Sequence, residues 1–465
     1  MAELTGVRRP VPLLVPGLLT GAVAVGAAST YSVKLALAGA VAAGLVALVW
    51  ARPAVGAYLV IALTPLTVGI DRGLAIPVLR PNEALDLLVG ATLAVRGLVR
   101  ARTGGLGRLR ISRLEWSLVA MAVCSSVVPL LWMLARNHPI TTDDLMYALV
   151  MWKYLGVYAI VRFSVRDDAQ VRRCLWVGVF AASAVAVVAI VQSLGLFGVP
   201  GLLAHFYAPY GDAGATAQAR GSSTLALPAA TADLLIFNLA VVAGLWLRMH
   251  RHRLVLAGIA LVLVLGALSA GEFSSTIGLV VALVSIAAVT GAPRLLLLAA
   301  PAALAGMTVL KPVVATRLEG FGSASGLPAS WVGRLNNLRT YFWPTLFSDD
   351  NWTLGVRPSA RVPVSSQILG YVWIESGYTW LLWGGGIPLL GAFVWFVVES
   401  VRSGWRAARH AVGAASVAGI AVVVAVLVTA VLMAFDPHLT YRGSADELFA
   451  LLALTATARI RKVVR

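Results

Sequence analysis

The sequence predicts an all-α, polytopic helical membrane protein with about 12–14 transmembrane helices and one large folded outer loop. Three observations carry that prediction. The 465 residues are 59% hydrophobic and only 12% charged, whereas a water-soluble domain carries about 25% charge. The apolar residues are gathered into long runs, and the mean hydropathy is +0.87. The cations, 33 Arg and 4 Lys against 20 acids, fall in short clusters between those runs. Composition therefore excludes a water-soluble enzyme, a disordered chain and a secreted disulfide scaffold. The two cysteines, Cys124 and Cys174, lie in or beside apolar runs, so neither a disulfide framework nor a thiolate metal site is expected.

Apolar stretches of about 17–25 residues are expected as spans near 11–28, 35–50, 54–70, 84–99, 115–134, 145–161, 174–194, 226–247, 254–270, 275–291, 295–310, 381–398, 411–434 and 446–458. With Arg8 and Arg9 in the cytoplasm, every other connection is cytoplasmic. Those connections and the two termini hold 24 of the 37 cations. The short outer connections hold Lys34, Arg72, Arg80, Arg136 and Arg442. This is the positive-inside pattern, so the net charge of +17 records orientation, and no nucleic-acid partner is expected. The basic start of the first run is not followed by a clear cleavage site, so it is kept as a span. The expectation is a multi-pass protein of the cytoplasmic membrane with both termini cytoplasmic.

Three regions follow. Residues 1–310 hold spans and an outer loop near 195–225, residues 311–380 form the large outer loop, and residues 381–465 hold the last spans. Both long loops are rich in Trp, Tyr, Gly and Arg, which argues for folded structure over disorder. Residues 366–398 are too long an apolar run for one span. Gln367 to Leu382, carrying Tyr371, Trp373, Tyr378 and Trp380 around Glu375, is read as a helix in the outer interface. It should turn at Gly384-Gly385-Gly386 and Pro388 into the next span.

The large loop carries Arg317, Arg334, Arg339, Arg357 and Arg361, while Arg220 sits in the other long loop. Outer-face arginine runs against the orientation trend, and its planar donor fork suits phosphate oxygens. The plainer reading pairs these arginines with Glu319, Asp349 and Asp350 or with lipid phosphates. Trp331 and Trp343, with Tyr341, Phe342 and Trp352, offer faces for sugars, or else anchors at the membrane interface. Arginine and tryptophan together above a membrane point to a lipid-linked saccharide pyrophosphate. Acids are few, so each has weight. Glu375 and Glu272 are candidates for a base near an acceptor hydroxyl, and Asp86 and Asp233 for packing inside spans. Arg334 is expected near the start of a helix, with Leu335 and Leu338 or Phe342 facing the membrane. The chain contains no P-loop, no HExxH and no Gly-x-Ser-x-Gly.

The order of several segments resembles the O-antigen ligase and O-antigen polymerase-like superfamily of membrane proteins. The segments are Leu79-Arg80-Pro81-Asn82-Glu83-Ala84-Leu85-Asp86, Arg220-Gly221-Ser222-Ser223-Thr224-Leu225 before Pro228, Gly333-Arg334-Leu335, Leu354-Gly355-Val356-Arg357 and Ile374-Glu375-Ser376-Gly377. Two departures stand out. Ala270-Gly271-Glu272-Phe273 replaces the family's Ser-Arg-Gly turn, and Ser366-Gln367 stands where its His-Asn lies. The chain then uses another base, belongs to a divergent branch of the superfamily, or is a non-catalytic relative. The resemblance implies a metal-independent inverting glycosyltransferase without a cofactor. Its partners would be a polyprenyl-pyrophosphate-linked glycan, a saccharide or glycolipid acceptor, and membrane lipid. Arg334, with Arg317 or Arg339, would hold the pyrophosphate, while Arg220 and Arg357 would hold the second phosphate or the sugar. The rival class is a transporter or flippase, which would place its cavity at the midplane.

Overall fold

The computed structural model describes residues 33–74, 76, 79–104, 111–207, 220–249, 252–298, isolated positions between 301 and 315, 329–365 and 370–457. The chain is almost wholly helical over these residues. In order the helices are α1 Val33–Ala51, α2 Pro53–Thr67, α3 Pro81–Arg102, α4 Arg113–Ala135, α5 Thr142–Ser164, α6 Asp168–Ser193 and α7 Val199–Phe206. They continue with α8 Pro228–Met249, α9 Arg253–Ser269, α10 Phe273–Thr290, α11 Ala329–Asn337, α12 Gly377–His410, α13 Ala414–Leu432 and α14 Ser444–Thr457. Twelve of the fourteen expected spans coincide with a helix. The span at 11–28 and most of the one at 295–310 lie outside the described residues. Among the described residues seven helices, α4, α5, α6, α8, α10, α12 and α13, are long and apolar enough to cross a membrane.

Local chemistry sets the helix starts. Ser112 and Glu115 close a reciprocal cap on α4, with the Ser112 N–H donating to Glu115 at 2.6 Å. Thr141 and Asp144 do the same for α5, and each such cap satisfies N–H groups that no helical carbonyl can reach. Proline at the first turn, where its missing N–H costs nothing, opens α2 and α3.

The core is built around α13, which packs against α8, α10, α12 and α14. It is apolar on all sides and almost wholly buried, as expected of a central helix. Its crossing with α12 needs two glycines. A Cβ on Gly419 would lie 2.7 Å from the Gly404 carbonyl, and one on Gly404 would lie 3.0 Å from the Gly419 carbonyl. The outer helices show the reverse pattern. Leu98, Phe163, Phe180, Val280 and Val394 are exposed on the surface, and only lipid can cover such a shell. The protein is a multi-pass helical membrane protein.

One end of the bundle carries a cap. It contains α11, a wide turn at Leu338–Phe342, short turns at Trp343–Leu346 and Asn351–Leu354, and an antiparallel ribbon of β1 Arg361–Pro363 and β2 Tyr371–Trp373. The segment Gln367–Leu382, expected as an interfacial helix, is not one. Residues 366–369 lie outside the described residues, residues 371–373 are strand, and α12 begins only at Gly377. The alternating side chains of Tyr371, Val372 and Trp373 suit a half-buried ribbon better than a helix face. The expected glycine turn is present: Gly386 breaks α12 with φ 64° and ψ −155°. That break exposes the Trp383 carbonyl, which accepts the Val356 N–H at 2.7 Å. A Cβ on Gly386 would lie 2.3 Å from the Thr353 carbonyl, so the cap seats on bare backbone.

Arg334 is also corrected. It lies in the last turn of α11, not near its start, so helix N–H groups do not assist it. Leu338 and Phe342 are buried against the protein rather than turned to lipid, and Phe342 meets Trp383 edge to face at 5.3 Å. The helix lies on the body of the protein, and its apolar stripe faces inward.

Candidate functional site

Three polar assemblies lie at the cap end. The first sits beneath α11, where Arg334 bonds Asp436 and has Glu375 at 3.7 Å. Asn337 donates to Glu375 at 3.0 Å, and Arg220 pairs with Glu272. Trp331 sets the spacing by packing on Phe273 at 6.2 Å and Phe435 at 5.0 Å, the residues that follow Glu272 and precede Asp436. Deeper in, the His438 Nδ1 and an Asp233 carboxylate oxygen are 2.7 Å apart, both residues being 1–2% exposed.

The assembly counts two guanidiniums against three carboxylates. Burial pushes the Asp436 carboxyl up to about 6, against the pull of Arg334 and His438. Burial also works against the Arg334 charge, but Asp436 chiefly holds that guanidinium above its ordinary pKa. His438 is likewise raised: burial opposes its charge, and Asp233 outweighs burial. This site is an internally paired network whose most exposed carboxylate is Glu375.

The second assembly joins the cap to the start of α5. Arg357 donates to both Asp144 oxygens, at 2.8 and 2.5 Å, and Asp144 is fully buried. These bonds hold Arg357 above its ordinary pKa. Arg361 lies 3.4 Å from Asp143, 4.2 Å over the Trp373 ring and 4.7 Å over the Tyr371 ring, a stacked cation of the kind arginine favours.

The third assembly lines a cavity of about 1450 Å³ between α3, α5 and the cap. Its cap end gathers Arg72, Arg80, Lys153, Arg361 and Arg442, with Asp71, Glu83, Asp86 and Asp143. Its body is apolar and follows α3 and α5 along their length. Arg80 is the unusual group. It is 8% exposed, its Nε has no hydrogen-bond partner among the described residues, and its nearest carboxylates, Asp71 and Glu83, stand off at 3.6 Å. Burial and then the Arg442 guanidinium pull its pKa down to about 10, with Arg72 adding to the effect. A buried cation crowded by two others is a place where an anion would be stabilising. Below it, both Asp86 carboxylate oxygens are buried without a hydrogen-bond partner among the described residues. Asp86 therefore does not fill the hydrogen-bonded packing role expected of it, whereas Asp233 is paired.

The structure brings Arg220, Glu272, Arg334, Glu375 and Trp331 together. It takes Arg357 and Arg361 to the second assembly, so the six loop arginines do not converge on one anion site. Arg339 is exposed, and Trp343 packs the cap on α12, its indole donating to Thr379 at 3.3 Å. Arg317 lies outside the described residues. Sequence reasoning missed Arg72, Arg80 and Arg442 as site residues, although they stand at the cap end like those it singled out. It also missed Asp143 and Asp144, whose position after Thr141 marks a helix start. No group of three or more His, Cys, Asp or Glu able to hold a metal occurs among the described residues. No protein-family model and no curated protein matches the chain.

Proposed function

We propose that the protein transfers or polymerises a glycan from a polyprenyl-pyrophosphate donor onto a saccharide or glycolipid acceptor, on the cap side of the cytoplasmic membrane. The cavity carries this reading. It joins an apolar trough, suited to a long isoprenoid, to a mouth crowded with Arg80, Arg442, Arg72, Lys153 and Arg361, suited to a pyrophosphate. Trp373, Tyr371 and Tyr147 around Arg361 offer ring faces to the first sugars. In the transfer an acceptor hydroxyl attacks the anomeric carbon and the bond to the pyrophosphate oxygen breaks. The hydroxyl proton passes to a carboxylate, and polyprenyl pyrophosphate leaves. Glu375, 30% exposed beneath α11, is the carboxylate for that role, since only its neighbour Ile374 separates it in sequence from the cavity-lining Trp373. The mouth cations stabilise the charge that develops on the leaving oxygen, and the reading includes no metal.

The cap is placed outside and both termini in the cytoplasm because the far-side connections hold most of the arginine. A reporter fused after residue 350 that reads out in the cytoplasm would overturn this orientation. A second reading, a flippase for the same lipid-linked glycan, is favoured by one observation: the trough continues past Ala94 to Arg96 and Arg100. The two separate in one experiment. Purified protein in liposomes receives a polyprenyl-pyrophosphate glycan pool, and both products and leaflet distribution are measured. New glycosidic linkages support transfer. Redistribution between leaflets without new linkages would replace it with transport.

A further inference from the structure

The end of the trough away from the cap is built differently. There Arg96 and Arg100 of α3 and Arg166, just beyond α5, line the cavity, and among the described residues no acid lines it at that level. Arg100 and Arg166 both act on Arg96 electrostatically, and the Arg96 Nη1 is buried without a hydrogen-bond partner among the described residues. From Glu83 to Arg100 the helix rises about 26 Å, close to the thickness of a bilayer's hydrocarbon core at about 30 Å. The far arginines thus stand at the headgroup level of the leaflet opposite the cap. Between the two ends the wall is lined by Gly90, Ala94 and Gly97 on α3 and by Gly156 and Ala159 on α5. A Cβ placed on Gly97 or Gly156 would meet nothing within 4 Å, so no described residue packs against them.

From this geometry we infer that the far end is a binding site for an anionic glycerophospholipid of the leaflet opposite the cap. Its phosphate lies among Arg96, Arg100 and Arg166, and its acyl chains lie in the adjoining half of the trough. Cytoplasmic-side arginines that only record orientation reach for water, whereas one Arg96 donor, Nη1, is buried without a partner in a trough where no described acid stands at its level. A free phosphate would match the cations but leave the apolar wall bare. A zwitterionic lipid would bring its own ammonium to a site that already has three cations. The inference does not depend on glycan transfer, because it uses only the far half of the cavity.

Native mass spectrometry of the full chain tests it, with phosphatidylglycerol and phosphatidylethanolamine titrated separately into the detergent. The wild type should retain phosphatidylglycerol at a concentration about tenfold or more below that needed for phosphatidylethanolamine. An Arg96→Gln/Arg100→Gln variant should lose that preference, and an Arg96→Lys/Arg100→Lys variant should keep most of it. Arg406→Gln, which removes an exposed arginine elsewhere on the far side, should change nothing. Equal retention of the two lipids by the wild type would overturn the inference, and so would equal loss in the Arg406→Gln variant. Cross-links that place residues 11–28 in the trough would overturn it as well, by giving the space to the chain itself.

Discussion

The arginines beneath α11 and those at the cavity mouth look alike in composition and differ in bookkeeping. Arg220 and Arg334 face three carboxylates, and each is held by one of them. Arg80 has its carboxylates at arm's length and two guanidiniums as neighbours. The first arrangement holds the cap onto the bundle. In the second, Arg72 is held by Glu83 and Lys153 by Asp446, while Arg80 has no carboxylate closer than 3.6 Å, which is why the proposed anion is assigned to it. Counting arginines cannot separate the two, because the difference lies in what each is paired with.

Breaking the first arrangement should cost most. Arg334→Leu leaves Asp436, 9% exposed at its side chain, without its closest cation, and should destabilise the protein by about 4 kcal/mol at neutral pH. Thermal melts in detergent would read this, and Arg334→Leu/Asp436→Leu should recover much of the loss. If the single variant melts like wild type, the network does not hold the cap.

The next effect is a pH dependence. The folded Asp436 carboxyl titrates near 6, above its ordinary value of 3.8. The folded state therefore binds that proton more tightly than the unfolded chain does. The stability from this group is fully present below about pH 4 and is lost as pH rises through 6, a change of up to about 3 kcal/mol. The melting temperature should fall across that window, and Asp436→Asn should flatten the slope. A slope unchanged in Asp436→Asn would assign the titration elsewhere.

Arg80→Gln tests the other arrangement. Its stability should change by about 1 kcal/mol or less, since the substitution also removes repulsion from Arg442 and Arg72. Binding of a polyprenyl pyrophosphate should weaken about 100-fold, as titration by native mass spectrometry would show. A large loss of stability with unchanged binding would make Arg80 a structural residue like Arg334. The smallest stability effect belongs to Glu375→Gln, below about 1 kcal/mol for a pair at 3.7 Å that is partly open to water. Its turnover should nonetheless fall about 100-fold, with donor binding retained. Full turnover would remove Glu375 from the chemistry.

Much of the architecture was legible in the sequence. Apolar run length marked twelve of the helices, and Gly384-Gly385-Gly386 marked the break in α12. The ribbon at Tyr371–Trp373 was not legible, because three alternating residues are too few to outweigh the long apolar run around them until their partner, Arg361–Pro363, is known. The pairing of Arg357 with Asp144 spans 213 residues, and no local pattern encodes it. The clustering of Arg220, Glu272, Arg334 and Glu375 was visible only as a set of outer-face charges. Arg80 was visible as an outer cation, but it was counted as topology because burial cannot be read from a short connection.

In the proposed function an anionic isoprenoid lies in the trough between α3 and α5 with its head at Arg80. Photo-cross-linking with a diazirine-bearing polyprenyl pyrophosphate, followed by peptide mapping, tests it most directly. Label should fall on the trough wall around Leu87, Ala91 and Ile160, displaced by unlabelled polyprenyl pyrophosphate and diminished in Arg80→Gln. Label spread over the outer faces of α6 and α10, with no displacement, would contradict it.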